Sequence, residues 1–281
     1  MIMTQACTLI TGASFGIGRA IAERCGRSGM NLILLSLPGE NLEETSYKLG
    51  SCYGIKTFFI EIDLTTPGAI GIVYAWCKER NLTVQTLINN AGVGYQGKFD
   101  ELDPAFCEKM LQLNVIALTL MTHAFLPDLM SQKSAHILNV SSLGSFYPMP
   151  FKSVYAASKS YVTSFSEALY EELKDTSVSV TTLCPAGVDS YKESTDQINR
   201  IGWIAKSGRR TPSQVAEAAI SGMLKKKRRI IPGLLNNFFH YITRPLPSKV
   251  KAWFVHFVLV KFHGKKAINA EKLKETTTES N

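Results

Sequence analysis

Short apolar runs alternate with longer stretches of helical period along most of the chain. Cys7 to Thr11, Leu32 to Leu35, Lys56 to Ile62, Thr86 to Ile88, His136 to Val140 and Ser179 to Leu183 are short and bounded by Gly, Asn, Pro or Ser. That is the pattern of buried strands. Between them, Gly18 to Ser28, Ala105 to Met130, Ser153 to Lys174 and Gln214 to Leu224 repeat with helical period, and Thr211-Pro212-Ser213 is a start signal for the last of these. Strand and helix in steady alternation predict an α/β fold, a doubly wound parallel sheet with helices on both faces. Right-handed crossovers then place ligands at the carboxyl ends of the strands.

The texture changes after Pro232. Leu234 to Ile242 and Ala252 to Val260 are apolar and aromatic, with Arg244, Pro245, Pro247, Lys249 and Lys251 between them. Neither run approaches the roughly 18 residues that a membrane-crossing helix needs. Gly264 to Asn281 is polar and without period, the composition of a loose tail. The expected organisation is a catalytic domain over residues 1–233, a helical amphipathic extension over 234–263 and a tail over 264–281.

Composition narrows the class. With 281 residues, 45% hydrophobic and 19% charged, the chain is neither disordered, collagen-like nor coiled coil. Cys7, Cys25, Cys52, Cys77, Cys107 and Cys184 are scattered with no CxxC pair, so no metal site and no disulfide framework is expected. Free thiols, and an N-terminus that reaches strand-like sequence by Cys7 without a basic and then apolar leader, fit a cytoplasmic protein without a signal peptide. The charge is uneven: residues 200–281 carry 17 Lys/Arg against 4 Asp/Glu, a net of +13 within a total of +8. Such a segment attracts anionic lipid or an acidic substrate carrier. No nucleic-acid module is legible, so nucleic acid is not an expected partner.

Candidate chemistry begins where the first strand ends. Thr11-Gly12-Ala13-Ser14-Phe15-Gly16-Ile17-Gly18 opens the first helix, and glycines there permit a tight turn and close approach of a pyrophosphate to the helix N-terminus, although glycine also serves ordinary turns. Asn89-Asn90-Ala91-Gly92, after the fourth strand, falls beside that turn, with Asn to tie strand ends and small residues to leave room for adenosine. Asp63 ends the third strand, either as an acceptor for the adenine amino group or as an ordinary turn cap. Tyr155 and Lys159 are four apart and share a helix face. An ammonium beside a phenol, together with oxidised nicotinamide, is expected to lower the phenol's pKa and fit it for acid and base work, unless the pair is simply a solvated face. Ser142, just past the fifth strand, is placed to hydrogen-bond a substrate oxygen.

These motifs together resemble the short-chain dehydrogenase/reductases, over about Cys7 to Gly233: TGASFGIG at 11–18, NNAG at 89–92, Asn114 inside a helix, Ser141-Ser142, and Tyr155-Ala156-Ala157-Ser158-Lys159. The family places its serine thirteen residues before the tyrosine, which selects Ser142 over Ser141. The resemblance implies a Rossmann-like fold and a catalytic set of Asn114, Ser142, Tyr155 and Lys159. In it Tyr155 is the general acid/base, Lys159 binds the nicotinamide ribose and lowers the tyrosine pKa, Ser142 orients the carbonyl, and Asn114 holds a water of a proton relay. Cofactor contacts are implied for Gly12, Ser14, Phe15, Gly16, Ile17, Gly18, Ser36, Asp63, Leu64, Asn90, Ala91, Gly92, Tyr155, Lys159, Pro185, Val188 and Ser190.

Two departures stand out. Pro185-Ala186-Gly187-Val188-Asp189-Ser190 carries Ala186 where the family usually has glycine, and Leu35-Ser36-Leu37-Pro38 has neither the Asp of NAD-preferring members nor the basic residue of NADP-preferring ones. The missing carboxylate favours NADP(H), with Ser36 as donor to the 2′-phosphate. Phe146, Tyr147, Pro148 and Met149, Val93 to Tyr95, and the loop Tyr191 to Ile204 suggest an apolar substrate such as a 3-oxoacyl thioester, ketosteroid or xenobiotic ketone. A homodimer or homotetramer is expected through the helices of Asn114 and Tyr155, whose small residues include Ala117, Ala156, Ala157, Ser160, Ser164 and Ala168. Val250, Trp253, Phe254, Phe257, Val258 and Phe262, among lysines, suit a membrane-interface helix, a lid or a subunit contact. The other class of function is a non-catalytic NAD(P) sensor whose C-terminus engages a membrane or partner.

Overall fold

The computed structural model describes residues 5–188, 208–253 and 255. Ser190 and the loop Tyr191 to Ile204, with Phe254, Phe257, Val258 and Phe262, lie outside the described residues.

Seven strands form one parallel sheet: β1 (Gln5–Thr11), β2 (Asn31–Ser36), β3 (Thr57–Glu61), β4 (Leu82–Asn89), β5 (Ala135–Val140), β6 (Val178–Leu183) and β7 (Arg229–Ile230). Their order is β3-β2-β1-β4-β5-β6-β7, so the direction of winding reverses between β1 and β4. A crevice opens at the carboxyl ends of strands at such a reversal. The strand expected at Thr86 to Ile88 is the fully buried end of a longer one. In its first half, buried Leu82 and Val84 alternate with half-buried Thr83 and exposed Gln85, so a run-based reading misses it.

Helices α1 (Gly16–Arg27), α2 (Leu42–Tyr53), α3 (Ala69–Glu79), α4 (Pro104–Leu111), α5 (Leu118–Met130), α6 (Ser153–Glu172), α7 (Pro212–Leu224) and α8 (Leu234–Thr243) accompany the sheet. The period-two alternation of the strands sends their side chains to two cores. Leu9, Ile33, Leu87 and Ile137 meet Val73 of α3, Met121 and Phe125 of α5 and Leu169 of α6. On the other face Ile10, Leu34, Ile88 and Leu138 meet Ile21 of α1, Leu49 of α2 and Ile220 of α7. Helix α7 starts on the expected cap: the Thr211 hydroxyl accepts from the Gln214 N–H and the Gln214 side chain accepts from the Thr211 N–H, both at 3.2 Å.

The single helix expected over Ala105 to Met130 is interrupted. Gln112–Ala117 is a π-helical turn between α4 and α5, and Asn114 sits inside it. The stretch Pro104–Met130 is long and apolar enough to cross a bilayer by length and composition, but Met110, Ala117, Met121, Phe125 and Leu129 are buried in the protein core. Helix α8 has the opposite habit. It buries Asn236, His240 and Thr243 and turns Leu234, Leu235, Phe238, Tyr241 and Ile242 outward.

Candidate active site

The turn after β1 is built around Thr11. Its hydroxyl accepts from the main-chain N–H groups of Asn90 and Ala91 at 3.0 and 2.9 Å, while the Asn90 amide donates back to the carbonyls of Thr11 and Gly12, both at 2.9 Å. The ends of β1 and β4 are thereby clamped together. Gly12 and Gly16 take the left-handed conformation, at φ 65° and 60°, and a Cβ on Gly18 would run into the Gly12 carbonyl and the Asn90 amide. Helix α1 can approach β1 only without that atom. No side chain caps α1 and its first turn holds no acidic residue, which leaves helix N–H groups and the positive end of the dipole for an anion. This cradle fits the pyrophosphate of a dinucleotide.

The chemical end assembles from three elements. The Ser141 hydroxyl is buried, donating to the Lys159 carbonyl at 2.8 Å and meeting the Thr163 hydroxyl at 2.7 Å, so it is a structural tie between β5 and α6. Ser142 is half-buried and accepts from the Gly144 N–H at 3.1 Å. Its hydroxyl is also hydrogen-bonded to Tyr155. Of the two serines, Ser142 is the one whose hydroxyl faces Tyr155. The Tyr155 ring lies against Gly94, within the Val93 to Tyr95 stretch, where an added Cβ would come within 3.1 Å of Cδ2.

Lys159 is 5% exposed and donates its ammonium to the Val140 carbonyl at 2.9 Å. Burial pulls its pKa down to about 8. Without the nicotinamide, burial pushes the Tyr155 phenol above its ordinary value, and the hydrogen bond with Ser142 only partly offsets that. The Lys159 ammonium is turned to the Val140 carbonyl instead of the phenol. In this state Tyr155 is a neutral phenol.

Asn114 ties two segments together through its side chain. Its side chain accepts from the Val93 N–H at 2.9 Å and donates to the Val93 carbonyl at 2.9 Å and the Ser158 hydroxyl at 3.0 Å. Both amide protons are committed, so the side chain positions the loop after NNAG against α6. A Cβ on Gly92 would sit 3.0 Å from the Asn114 Oδ1 and 3.2 Å from the Lys159 Nζ, which puts the three residues side by side.

At the end of β2 two side chains differ in what they can offer a ribose. Ser36 is 5% exposed and its hydroxyl donates to the Leu37 carbonyl at 3.1 Å, so that donor is committed within its own loop. A carboxylate enters from further on: Glu40 accepts from the Ser14 hydroxyl at 2.5 Å. Asp63 serves its own turn, accepting from the Thr65 N–H at 2.9 Å and the Thr65 hydroxyl at 2.7 Å. Burial alone would raise its pKa, but those bonds and the Lys109 ammonium at 3.7 Å outweigh it and hold the carboxyl below its ordinary value. Leu64 is buried beside it. Past β6, the Pro185 carbonyl accepts from the Leu143 N–H at 2.8 Å and Val188 bridges to Arg210, so the segment carrying Ala186 is tied to both sides of the cleft.

A sheet reversal with a glycine cradle at one strand end and a serine, tyrosine and buried lysine at the next defines a nucleotide-binding α/β protein. The chain belongs to the short-chain dehydrogenase family, whose model matches residues 6–199. It is therefore an oxidoreductase of the CH–OH/C=O class that works with a nicotinamide cofactor.

Among its relatives, the mouse (Mus musculus) dehydrogenase/reductase SDR family member 7B is 30% identical over 237 residues, covering 82% of this chain and 73% of that one. The ketoacyl reductase HetN of Nostoc sp. is 26% identical over 276 residues, with 96% and 95% covered. A solved 7β-hydroxysteroid dehydrogenase superposes with TM-score 0.80 at 21% identity, covering 89% and 96%. A short-chain dehydrogenase from Sphingobium yanoikuyae in complex with NADPH gives 0.71 at 26%, covering 87% and 97%, and one from Burkholderia phymatum in complex with NAD gives 0.74 at 25%, covering 88% and 94%.

Proposed function

We propose that the protein moves a hydride between NADP(H) and the carbonyl or secondary alcohol of an apolar substrate, with Asn114, Ser142, Tyr155 and Lys159 as its working set. The observation that carries this reading is the Ser142–Tyr155 hydroxyl pair beside a buried Lys159. The nicotinamide supplies or accepts the hydride at carbon. In the reducing direction Tyr155, a neutral phenol, gives its proton to the substrate oxygen while the Ser142 hydroxyl donates to the same oxygen and steadies its charge. Lys159 holds the ribose and stabilises the tyrosinate left behind, and Asn114 fixes the loop that the nucleotide passes.

Two features oppose each other at the adenosine ribose. A serine at position 36 offers no carboxylate to grip both hydroxyls, which favours a 2′-phosphate, whereas Glu40 on Ser14 repels it. The reading is NADP(H), with Glu40 limiting the margin. Ketoacyl reductase and hydroxysteroid dehydrogenase relatives support a 3-oxoacyl thioester or ketosteroid-like ligand, and the aromatic residues after Ser142 fit an apolar body.

A homodimer through α5 and α6 completes the proposal. Ala117 and Ala156 are buried within the chain, so they pack these helices internally. Ala157, Tyr161, Ser164 and Ala168 instead form an exposed face of α6 at helical spacing, next to the exposed Ile116 and Leu120. The basic, aromatic C-terminal third is proposed to engage an acidic carrier or an anionic surface. A panel of ketones and alcohols run with each nicotinamide tests the reaction: turnover by wild type and none by Tyr155→Phe is expected, and no turnover on any member while both nucleotides bind would favour the sensor reading.

A further inference from the structure

A second cavity lies behind the loop that carries Ser142. It has a volume of about 120 Å³ and is lined by Phe146, Tyr147, Arg229, His240, Thr243, Arg244 and Lys251. Arg229 is paired with Glu167, but neither Arg244 nor Lys251 has a carboxylate partner among the described residues. The Lys251 ammonium donates only to the Arg244 carbonyl, at 3.0 Å. Uncompensated cations at the mouth of a small polar cavity define an anion site.

His240 supplies an independent sign of the same thing. A guanidinium can only donate, so its Nε2, 3.2 Å from the Arg229 Nη1, accepts, and the proton of the neutral ring sits on Nδ1. That Nδ1 is buried with no hydrogen-bond partner among the described residues, on a side chain that is 3% exposed. Burial, together with Arg229, Arg244 and Lys251, holds the imidazole below its ordinary pKa. An unmet buried donor costs stability unless an acceptor arrives. The cavity is large enough for one phosphate group.

The helix over this cavity indicates what the phosphate is attached to. The inward side of α8 is polar, and its outward side carries Leu234 at 87% exposure, Phe238 at 66% and Tyr241 at 59%, continued by Trp253 at 67%. With 3.6 residues per turn, Arg244 falls at the boundary between the two sides. Ten residues cannot span a bilayer. An apolar face flanked by cations, with Tyr and Trp at its edges, matches the interfacial zone of an anionic membrane in both hydropathy and charge.

We propose that the outward face of α8 lies on an anionic phospholipid surface while the Arg229, Arg244 and Lys251 cavity takes a headgroup phosphate. This deepens the reading of the C-terminal third given above and is independent of the reaction at Tyr155.

The test is co-sedimentation of the full chain with vesicles of phosphatidylcholine alone and of phosphatidylcholine with phosphatidylglycerol, while NADPH binding is followed separately by fluorescence. Binding to the mixed vesicles is expected, weakening with salt. Arg244→Gln with Lys251→Gln should lower it about twenty-five-fold, from roughly fivefold per basic residue at an anionic surface, and Phe238→Glu should abolish it. Nucleotide binding should remain in all of these variants. Equal binding to neutral vesicles, no binding to either, or wild-type binding by the double variant would overturn the proposal. So would Phe238→Glu reducing the oligomer size in vesicle-free solution, which would mean a second copy covers the face. Stabilisation by inorganic phosphate without vesicle binding would assign the cavity to a soluble phosphate and also refute it.

Discussion

The Lys159 ammonium is held by the Val140 carbonyl at 2.9 Å, so the last residue of β5 anchors the cation of the site. That anchor only partly compensates a buried charge whose pKa has fallen from 10.5 to about 8.

Lys159 therefore works against stability. Below about pH 8 the folded chain carries the penalised ammonium, and the cost, about 3 kcal/mol from the size of the shift, fades as pH rises from about 8 to 10.5. Lys159→Met is expected to raise the melting temperature of the cofactor-free protein by a few degrees at pH 7, with the advantage shrinking toward pH 10, while ending turnover and weakening nucleotide binding. Thermal unfolding at several pH values checks the sign.

Tyr155→Phe removes only the acid. Turnover should fall by about a thousandfold or more, within the usual range for general acid catalysis and beyond, with nucleotide affinity within about twofold of wild type. Ser142→Ala should cost on the order of a hundredfold. Wild-type rates in either purified variant would remove that residue from the mechanism.

At the ribose, NADPH should bind more tightly than NADH. Glu40→Gln should widen the gap by removing a negative charge beside Ser14, and Ser36→Asp should reverse it. Four pairs of dissociation constants, covering wild type, both single variants and the double variant, test this; a wild-type preference for NADH would assign the dominant role to Glu40.

Gly18→Ala should disable the nucleotide cradle, since its Cβ collides with main chain rather than with a flexible side-chain end. Nucleotide binding is expected to drop at least tenfold with a lower melting temperature, read by titration and calorimetry.

Ala168→Arg, on the exposed face of α6, should shift the protein toward monomer in light scattering without changing nucleotide affinity. An unchanged mass would place the subunit contact elsewhere.

Strands were legible in the sequence wherever apolar runs were bounded by turn residues, and the paired turns at Gly12 and Asn90 because their residue types are tied to a backbone purpose. The π turn at Asn114 was not legible, since one added residue leaves the apolar period of Ala105 to Met130 nearly unchanged. Glu40 was missed because its partner Ser14 is 26 residues away across a loop. The cavity at His240 was hidden for the same reason: Arg229, His240 and Lys251 come from separate segments, and each alone reads as surface or core. The depth at which Tyr155 is buried, which raises its pKa in the cofactor-free chain, was not legible either, because spacing gives proximity to Lys159 but not burial.

Thr11 and the Asn90 N–H that it receives are 79 residues apart in the chain. A nascent polypeptide consequently has no nucleotide cradle until β4 has been synthesised and inserted beside β1, and the cofactor cannot bind a partly made sheet with native affinity. Because a ligand that binds only the finished form stabilises it by mass action, the cell's nicotinamide pool would act on this chain as a selector of completed molecules.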